Sequence, residues 1–326
     1  MRRLLRYLAR LLLGLLVLAA GGLAWAHYAI RQERAPLPSF DAIDAAAAAG
    51  GDLPVQLSII NTASQPMPRG GVLDPGGDPR PQEPYVMSHP AFVLRWADGR
   101  ILLVDVGMTP QQAVEFGKPV ELLAGAQPTQ AHGSTADQLG AAAKQVNGVV
   151  FTHTHSDHVG GIGALCLAAG HPIPAFMTLA QAQRPNYTTR PGLSAIAESG
   201  CAQPTGLGEA ALKPVPGFPG AYVIDAGGHT PGSEIVLAFV QDAAGVHRYA
   251  FTGDIVNNLD GILADVPKPL VYRTVLIPED GDRQAELRHF LKRLREQHQF
   301  TLLVSHDQRA LQASGVPNYA GVTGDQ

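Results

Sequence analysis

Val149-Val150-Phe151-Thr152-His153-Thr154-His155-Ser156-Asp157-His158 opens as an apolar strand and ends in three imidazoles and a carboxylate. His153 and His155 are two residues apart, so an extended backbone directs both rings to one face. Asp157 and His158 come after the chain turns and reach a second point a short distance away. Gly160, Gly161 and Gly163 follow, and let the backbone pass close to whatever the side chains surround. One histidine after a strand is ordinarily a hydrogen-bonded polar residue. Four ligand-type side chains in six positions ask for another account.

The same pattern recurs further along. Ala221–Ile224, Tyr249–Thr252 and Thr301–Val304 read as strands. They lead into Gly228-His229-Thr230-Pro231-Gly232, Gly253-Asp254 and Ser305-His306-Asp307. Strand ends that feed loops on one side are where α/β folds place their sites. Around this framework, Val55–Ile60 and Ile235–Val240 read as strands. Ala91–Trp96 and Ile101–Val106 form a hairpin across Asp98-Gly99. Ser134 or Thr135 caps a helix through about Val146, with Asp137 or Gln138 as capping-box partner. Arg283–Gln297 is an amphipathic helix, with Leu287, Phe290, Leu291 and Leu294 on one face. Ser64–Pro90, rich in Gly and Pro, reads as a long loop. Hairpins followed by strand–helix alternation predict a layered α/β domain with mixed strand directions.

Five imidazoles and two carboxylates are one ligand too many for two sites of three protein ligands each, unless one is shared. A carboxylate has two oxygens, and Asp254 is the natural bridge. The series His153-x-His155-x-Asp157-His158, then His229, Asp254 and His306, resembles the metallo-β-lactamase superfamily. Asp105-Val106-Gly107 matches that family's early Asp-x-Gly. The resemblance spans most of residues 53–310 and implies an αββα sandwich of two mixed sheets flanked by helices. It implies two divalent cations, with His153, His155 and His229 holding the first. Asp157, His158 and His306 would hold the second, with Asp254 between them. The nitrogen-rich ligand set favours zinc, and the carboxylates leave iron or manganese open.

What the resemblance implies is hydrolysis by a metal-bridging hydroxide, with Asp157 shuttling a proton to the leaving group. Zinc β-lactamases carry Cys or Ser at the position of Asp254, which disfavours β-lactam cleavage. His306-Asp307 resembles the ending of bacterial acyl-homoserine-lactone lactonases, although those enzymes carry a tyrosine where this chain has Asn257. Thr230-Pro231-Gly232-Ser233 departs from the glyoxalase II turn at Ser233. The expected order is therefore ester or lactone, then phosphotriester, then β-lactam. A persulfide dioxygenase using one iron on His153, His229 and Asp254 is the alternative from another reaction class. Substrate-facing walls are expected in Ser64–Pro90, Gln183–Pro219 and Asn257–Tyr272. Phe176, Met177, Tyr187, Phe218 and Tyr272 are candidates to line an apolar pocket. The other histidines read as surface or hydrogen-bonded side chains; among them only His89 and His132 stand in loops that could border the site.

The chain has 326 residues, 45% hydrophobic and 16% charged, which excludes intrinsic disorder. A net charge of −4 gives no basic face for nucleic acid. The partner to expect is a small-molecule substrate. Residues 1–30 read as a signal peptide or membrane anchor. Arg2, Arg3, Arg6 and Arg10 precede the apolar run Leu11–Ala26, which ends in Ala24-Trp25-Ala26. The chain is therefore expected to be exported, either periplasmic or anchored to the inner membrane facing the periplasm, with membrane contact only through this segment. Residues 31–52 read as a linker, and 53–326 as the catalytic domain. Cys166 and Cys201 are the only cysteines and read either as one disulfide or as two buried thiols.

Overall fold

The computed structural model describes residues 2–32 and 34–320. Its strands are β1 (Gln56–Met67), β2 (Tyr85–Arg95), β3 (Ile101–Val104), β4 (Gln130–Ala131), β5 (Val146–Val150), β6 (Ile173–Met177), β7 (Ala202–Gly206), β8 (Lys213–Pro214), β9 (Ala221–Asp225), β10 (Glu234–Asp242), β11 (Gly245–Phe251) and β12 (Phe300–Leu303). The N-terminal seven form one sheet in the order β4-β1-β2-β3-β5-β6-β7. The remaining five form a second in the order β12-β11-β10-β9-β8. Both are mixed: β3, β5, β6 and β7 run parallel, as do β11 and β12, and the other pairs are antiparallel.

Alternate residues of these strands serve different layers. Phe92, Leu94, Leu102 and Val104 meet Val223, Val236, Phe251 and Leu303 between the sheets. Their neighbours Ala91, Val93, Ile101 and Leu103 face helices on the outside. Both faces are buried, so the strands read as continuous apolar runs rather than as alternation. The helices are α1 (Arg2–Arg31), α2 (Phe40–Ala48), α3 (Pro110–Ala124), α4 (Thr135–Leu139), α5 (Ser156–Val159), α6 (Ile162–Ala169), α7 (Leu179–Gln183), α8 (Arg190–Glu198), α9 (Asp260–Leu263), α10 (Gly281–His298) and α11 (Gln308–Ala313). Ile162 and Leu165 of α6 and Ile196 of α8 cover the first sheet. Ile43 of α2 and Leu287, Phe290, Leu291 and Leu294 of α10 cover the second. The result is the αββα sandwich.

Several local expectations change. The expected Ser64–Pro90 loop shrinks to the segment between β1 and β2, because both strands run further than composition suggested. Pro66 lies past the last β1–β4 pair, where its missing N–H costs no ladder bond. The expected helix to Val146 stops at Leu139, since Gly140 takes φ 55° and the chain continues as a 3₁₀ turn; Ser134 and Asp137 form the capping box. Within the stretch read as a linker, α2 packs Ile43 into the second sheet's core. Cys166 of α6 and Cys201, just before β7, form a disulfide.

Candidate metal centre

Five strands end at one edge of the sandwich: β3 and β5 from the first sheet, β9, β11 and β12 from the second. The residues that follow them are Asp105, His153 to His158, His229, Asp254 and His306. All but Ser156 are buried, and all seven residues of the sequence motif converge.

The inward atoms form two groups. His153 Nε2 lies 3.0 Å from His155 Nδ1, which lies 3.3 Å from His229 Nε2. Asp254 Oδ2 closes this group at 3.6 Å from His229 and 3.9 Å from His153. In the second group, His158 Nε2 and His306 Nε2 are 3.4 Å apart. Asp254 Oδ1 lies 3.3 and 3.0 Å from them, and Asp157 Oδ2 lies 3.7 and 3.4 Å from them.

The other nitrogen of each ring points away and has an acceptor, which sets the tautomer. His158 Nδ1 donates to Asp105 Oδ2 at 2.9 Å, His229 Nδ1 to Glu279 Oε1 at 2.6 Å, and His306 Nδ1 to the Ser88 carbonyl at 2.7 Å. His155 Nε2 donates to Thr188 Oγ1 at 2.8 Å, and Thr188 passes its own proton to Asn186. Thr152 donates its hydroxyl proton to Asp105 and lies 3.3 Å from His153 Nδ1. Asp105 thus gathers Thr152 and His158 at a φ of 59°, a backbone region that Asp tolerates better than most residues. Five imidazole lone pairs and two carboxylates then face one another, and Asp254 Oδ1 has no hydrogen-bond donor.

Such an arrangement repels itself unless cations, or protons on some of the rings, sit inside it. A tetrahedral ion with bonds of about 2.0–2.1 Å separates its ligands by roughly 3.3 Å, in the range seen in both groups. The donor set therefore fits divalent metal.

Electrostatics divides the cluster in the same way. Burial and the nearby His229 lower His155 to about 3. Burial also pulls His153 and His229 down, helped by His158 and by Lys268 respectively, so all three are neutral donors. His158 and His306 resist burial and are raised, by Asp105, Asp157 and Asp254 in the first case and by Asp254 and Asp157 in the second. Burial pushes the Asp254 carboxyl up, but His306, His153 and His158 hold it well below its ordinary value. Asp157 is held down in the same way by His158, His89 and His306.

Beside the cluster lies a cavity of about 850 Å³. Met67, Val72, Met87, Phe116, Val120 and Leu276 form its apolar wall; His155, Asp157, Asp254 and His306 form its floor. Tyr272 and Asn257 line it as expected, whereas Tyr187 does not. Phe176 and Phe218 pack between the sheets against Gly148, where a Cβ would come within 2.7–2.8 Å of their rings, and Met177 lies in the first sheet's core.

Sequence reasoning missed three partners. His89, set apart in the sequence only as a loop histidine that could border the site and given no role there, is buried with Nδ1 3.3 Å from Asp157 Oδ2. Glu279 and Lys268 pair at 2.7 Å behind His229. Only tertiary packing brings them there; nothing in their local sequence marks them.

Two mixed sheets between helices, with a buried His/Asp cluster at one edge, define a class of metal-dependent proteins. The model of the metallo-beta-lactamase superfamily matches residues 84–306, and the chain belongs to that superfamily. No curated protein matches it in sequence. Among solved structures it is similar to an N-acyl homoserine lactone hydrolase with the product N-hexanoyl-L-homoserine bound at its catalytic metal center. That match has 15% identity, a TM-score of 0.59, and covers 80% of this chain and 96% of the other. A quorum-quenching N-acyl homoserine lactone hydrolase gives 16%, 0.58, 81% and 97%. A mutant of B. thuringiensis AiiA with N-decanoyl-L-homoserine at its active site gives 14%, 0.57, 80% and 96%. At these identities the likeness is one of fold.

Proposed function

We propose that this chain is an exported dinuclear metallohydrolase that opens a lactone or cleaves an ester carrying an apolar acyl group. One observation carries the reading. Asp254 Oδ2 faces His153 and His229, Oδ1 faces His158, and His306 lies 3.0 and 3.2 Å from Oδ1 and Oδ2, at the floor of an apolar cavity. His153, His155 and His229 would hold one cation, and Asp157, His158 and His306 the other, with Asp254 shared. When bound, the cations supply a water ionised near neutral pH and polarise the scissile carbonyl. Zinc suits the five nitrogens, with iron or manganese as variants.

The chain's own residues do the rest. Asp157 opens into the cavity and, kept ionised, receives a proton and returns it to the departing oxygen. Asp157→Asn should lower kcat by about 10²–10⁴-fold while retaining much of the fold. Unchanged turnover rejects the role. Tyr272 lines the cavity, and burial with Asp254, Glu279 and Asp157 nearby keeps its phenol protonated. It is placed to donate to the substrate from a position other than 257. Tyr272→Phe should cost roughly 10²-fold in kcat, by loss of one donor to the developing oxyanion; an effect on KM alone would reduce it to a binding contact.

The disulfide supports an oxidising compartment. Metal quantification on the purified full chain, with a panel of acyl lactones, aryl esters, phosphotriesters and a cephalosporin, tests the proposal. Two divalent ions and chelator-sensitive lactone or ester turnover are expected. One iron with persulfide oxidation would replace it with the dioxygenase reading.

A further inference from the structure

Around the cavity mouth the surface is apolar. Leu122 and Leu123 end α3 on one side, and Leu270, Val271, Val275 and Leu276 lie on the other, with exposures from 43 to 84%. So many large side chains in water at one place mark an interaction surface.

The position of α1 identifies the partner. Leu11–Ile30 is long enough to cross about 30 Å of hydrocarbon, and none of the helix's most apolar window is buried in the protein. Its last turn is tied to the rim. His27 Nε2 bonds the Thr274 carbonyl at 3.0 Å, between Val271 and Val275. Ile30 is buried, Arg34 bonds both oxygens of Asp280, and Arg283 holds the Ala35 carbonyl. Trp25 and Tyr28 remain exposed at the same level, as aromatic side chains do where a helix leaves a bilayer.

We propose that α1 is retained as an anchor and that the cavity mouth docks onto the bilayer it leaves, so that apolar substrate enters the site from the membrane. The docking stands on the rim and the anchor. Only the entry of substrate rests on the hydrolase reading.

Single cysteines at Leu123→Cys, Val271→Cys and Ala244→Cys test it in the full-length chain. Cys166 and Cys201 are paired and do not compete for label. Ala244 lies in the β10–β11 turn, at the opposite end of β11 from Asp254. Each variant is labelled with bimane in vesicles of phosphatidylethanolamine and phosphatidylglycerol, some lipids carrying a nitroxide on a shallow acyl carbon. Strong quenching at 123 and 271 with none at 244 is expected, and Leu122→Asp with Val275→Asp should abolish it at 271. Equal quenching at all three positions overturns the docking, as does recovery of a soluble chain beginning at His27. Concentration-dependent pairing through 271 without lipid quenching assigns the rim to a second copy and also overturns it. If lactone turnover is present, the Leu122→Asp/Val275→Asp pair should lower the ratio of vesicle-borne long-chain to water-soluble short-chain turnover about tenfold. An unchanged ratio overturns entry from the membrane. Absence of any hydrolysis removes the functional reading and leaves the quenching result standing.

Discussion

An imidazole can offer a lone pair inward only when its second nitrogen has somewhere to send a proton, and each ring of the cluster has such an outlet. For His229 the outlet is Glu279, which also neutralises Lys268, while Lys268 holds the Asp254 carbonyl. Outer partners of this kind orient a ligand and raise its basicity, and their loss costs about 10–100-fold in metal affinity. Glu279→Gln should therefore weaken metal binding by that factor. It should also destabilise the fold by about 3–5 kcal/mol, because Lys268 is left as a buried charge without a counterion. The two effects separate in Glu279→Gln/Lys268→Met, which should recover most of the stability and little of the affinity. Competition with a chromophoric chelator and thermal melts read them independently; recovery of both together would show that Glu279 acts on packing alone. The ligands themselves were legible because histidine and aspartate at strand ends announce chemistry. Glu279 and Lys268 were not, being ordinary charged residues until the chain folds.

At the scale of elements, the segment between β1 and β2 shows what composition hides. Its Gly and Pro content reads only as a long loop that flanks the site or moves; Arg69 is buried there and bridges Asp78 and Asp260 at 2.7 and 2.8 Å. Arg80 adds a second bond to Asp260. This clamp presses Met67, Val72 and their neighbours into the cavity wall. Arg69 holds the Asp78 carboxyl below its ordinary 3.8. A carboxylate with a depressed folded value stabilises fully above its unfolded value, and the contribution fades as pH falls through the folded one. Asp78→Asn should thus cost about 2 kcal/mol at pH 7 in urea unfolding. The difference from wild type should close as pH drops below 3.8. A gap that persists in acid would mean that the pair contributes shape rather than charge. The hairpin, α10 and the strands feeding the site were legible from periodicity and capping. α3, which supplies Phe116, Val120 and Leu123 to the cavity, was passed over, because its few apolar residues pack only on small satellite clusters around Met67 and Met108 rather than on the main core.

Across the whole molecule, both sheets contribute side chains to the cluster. Asp105 and His153 to His158 come from the first sheet, and His229, Asp254 and His306 from the second. Cations held there would tie the layers together, and the metal-free chain must manage the same charges without them. It does so with His158 and His306, whose raised values keep them protonated beside Asp254 and Asp157. A group raised on folding stabilises fully below its unfolded value, about 6.5 for histidine, and its contribution is lost as pH climbs through the folded one. Metal binding has the opposite dependence, since its ligands must first lose those protons. The loaded chain should melt above the chelated chain by an amount that grows from pH 6 to pH 9. With free zinc at 100 times its dissociation constant each occupied site contributes about 2.7 kcal/mol to the difference. Hydrogen exchange on the chelated chain should rise at Thr152–His158, Gly253–Val256 and His306, and stay unchanged at the Asp242–Gly245 turn. A melting gap that is constant with pH would separate the cluster from the cations, and uniform loss of protection would make the metal a global fold determinant and not a clasp at one edge.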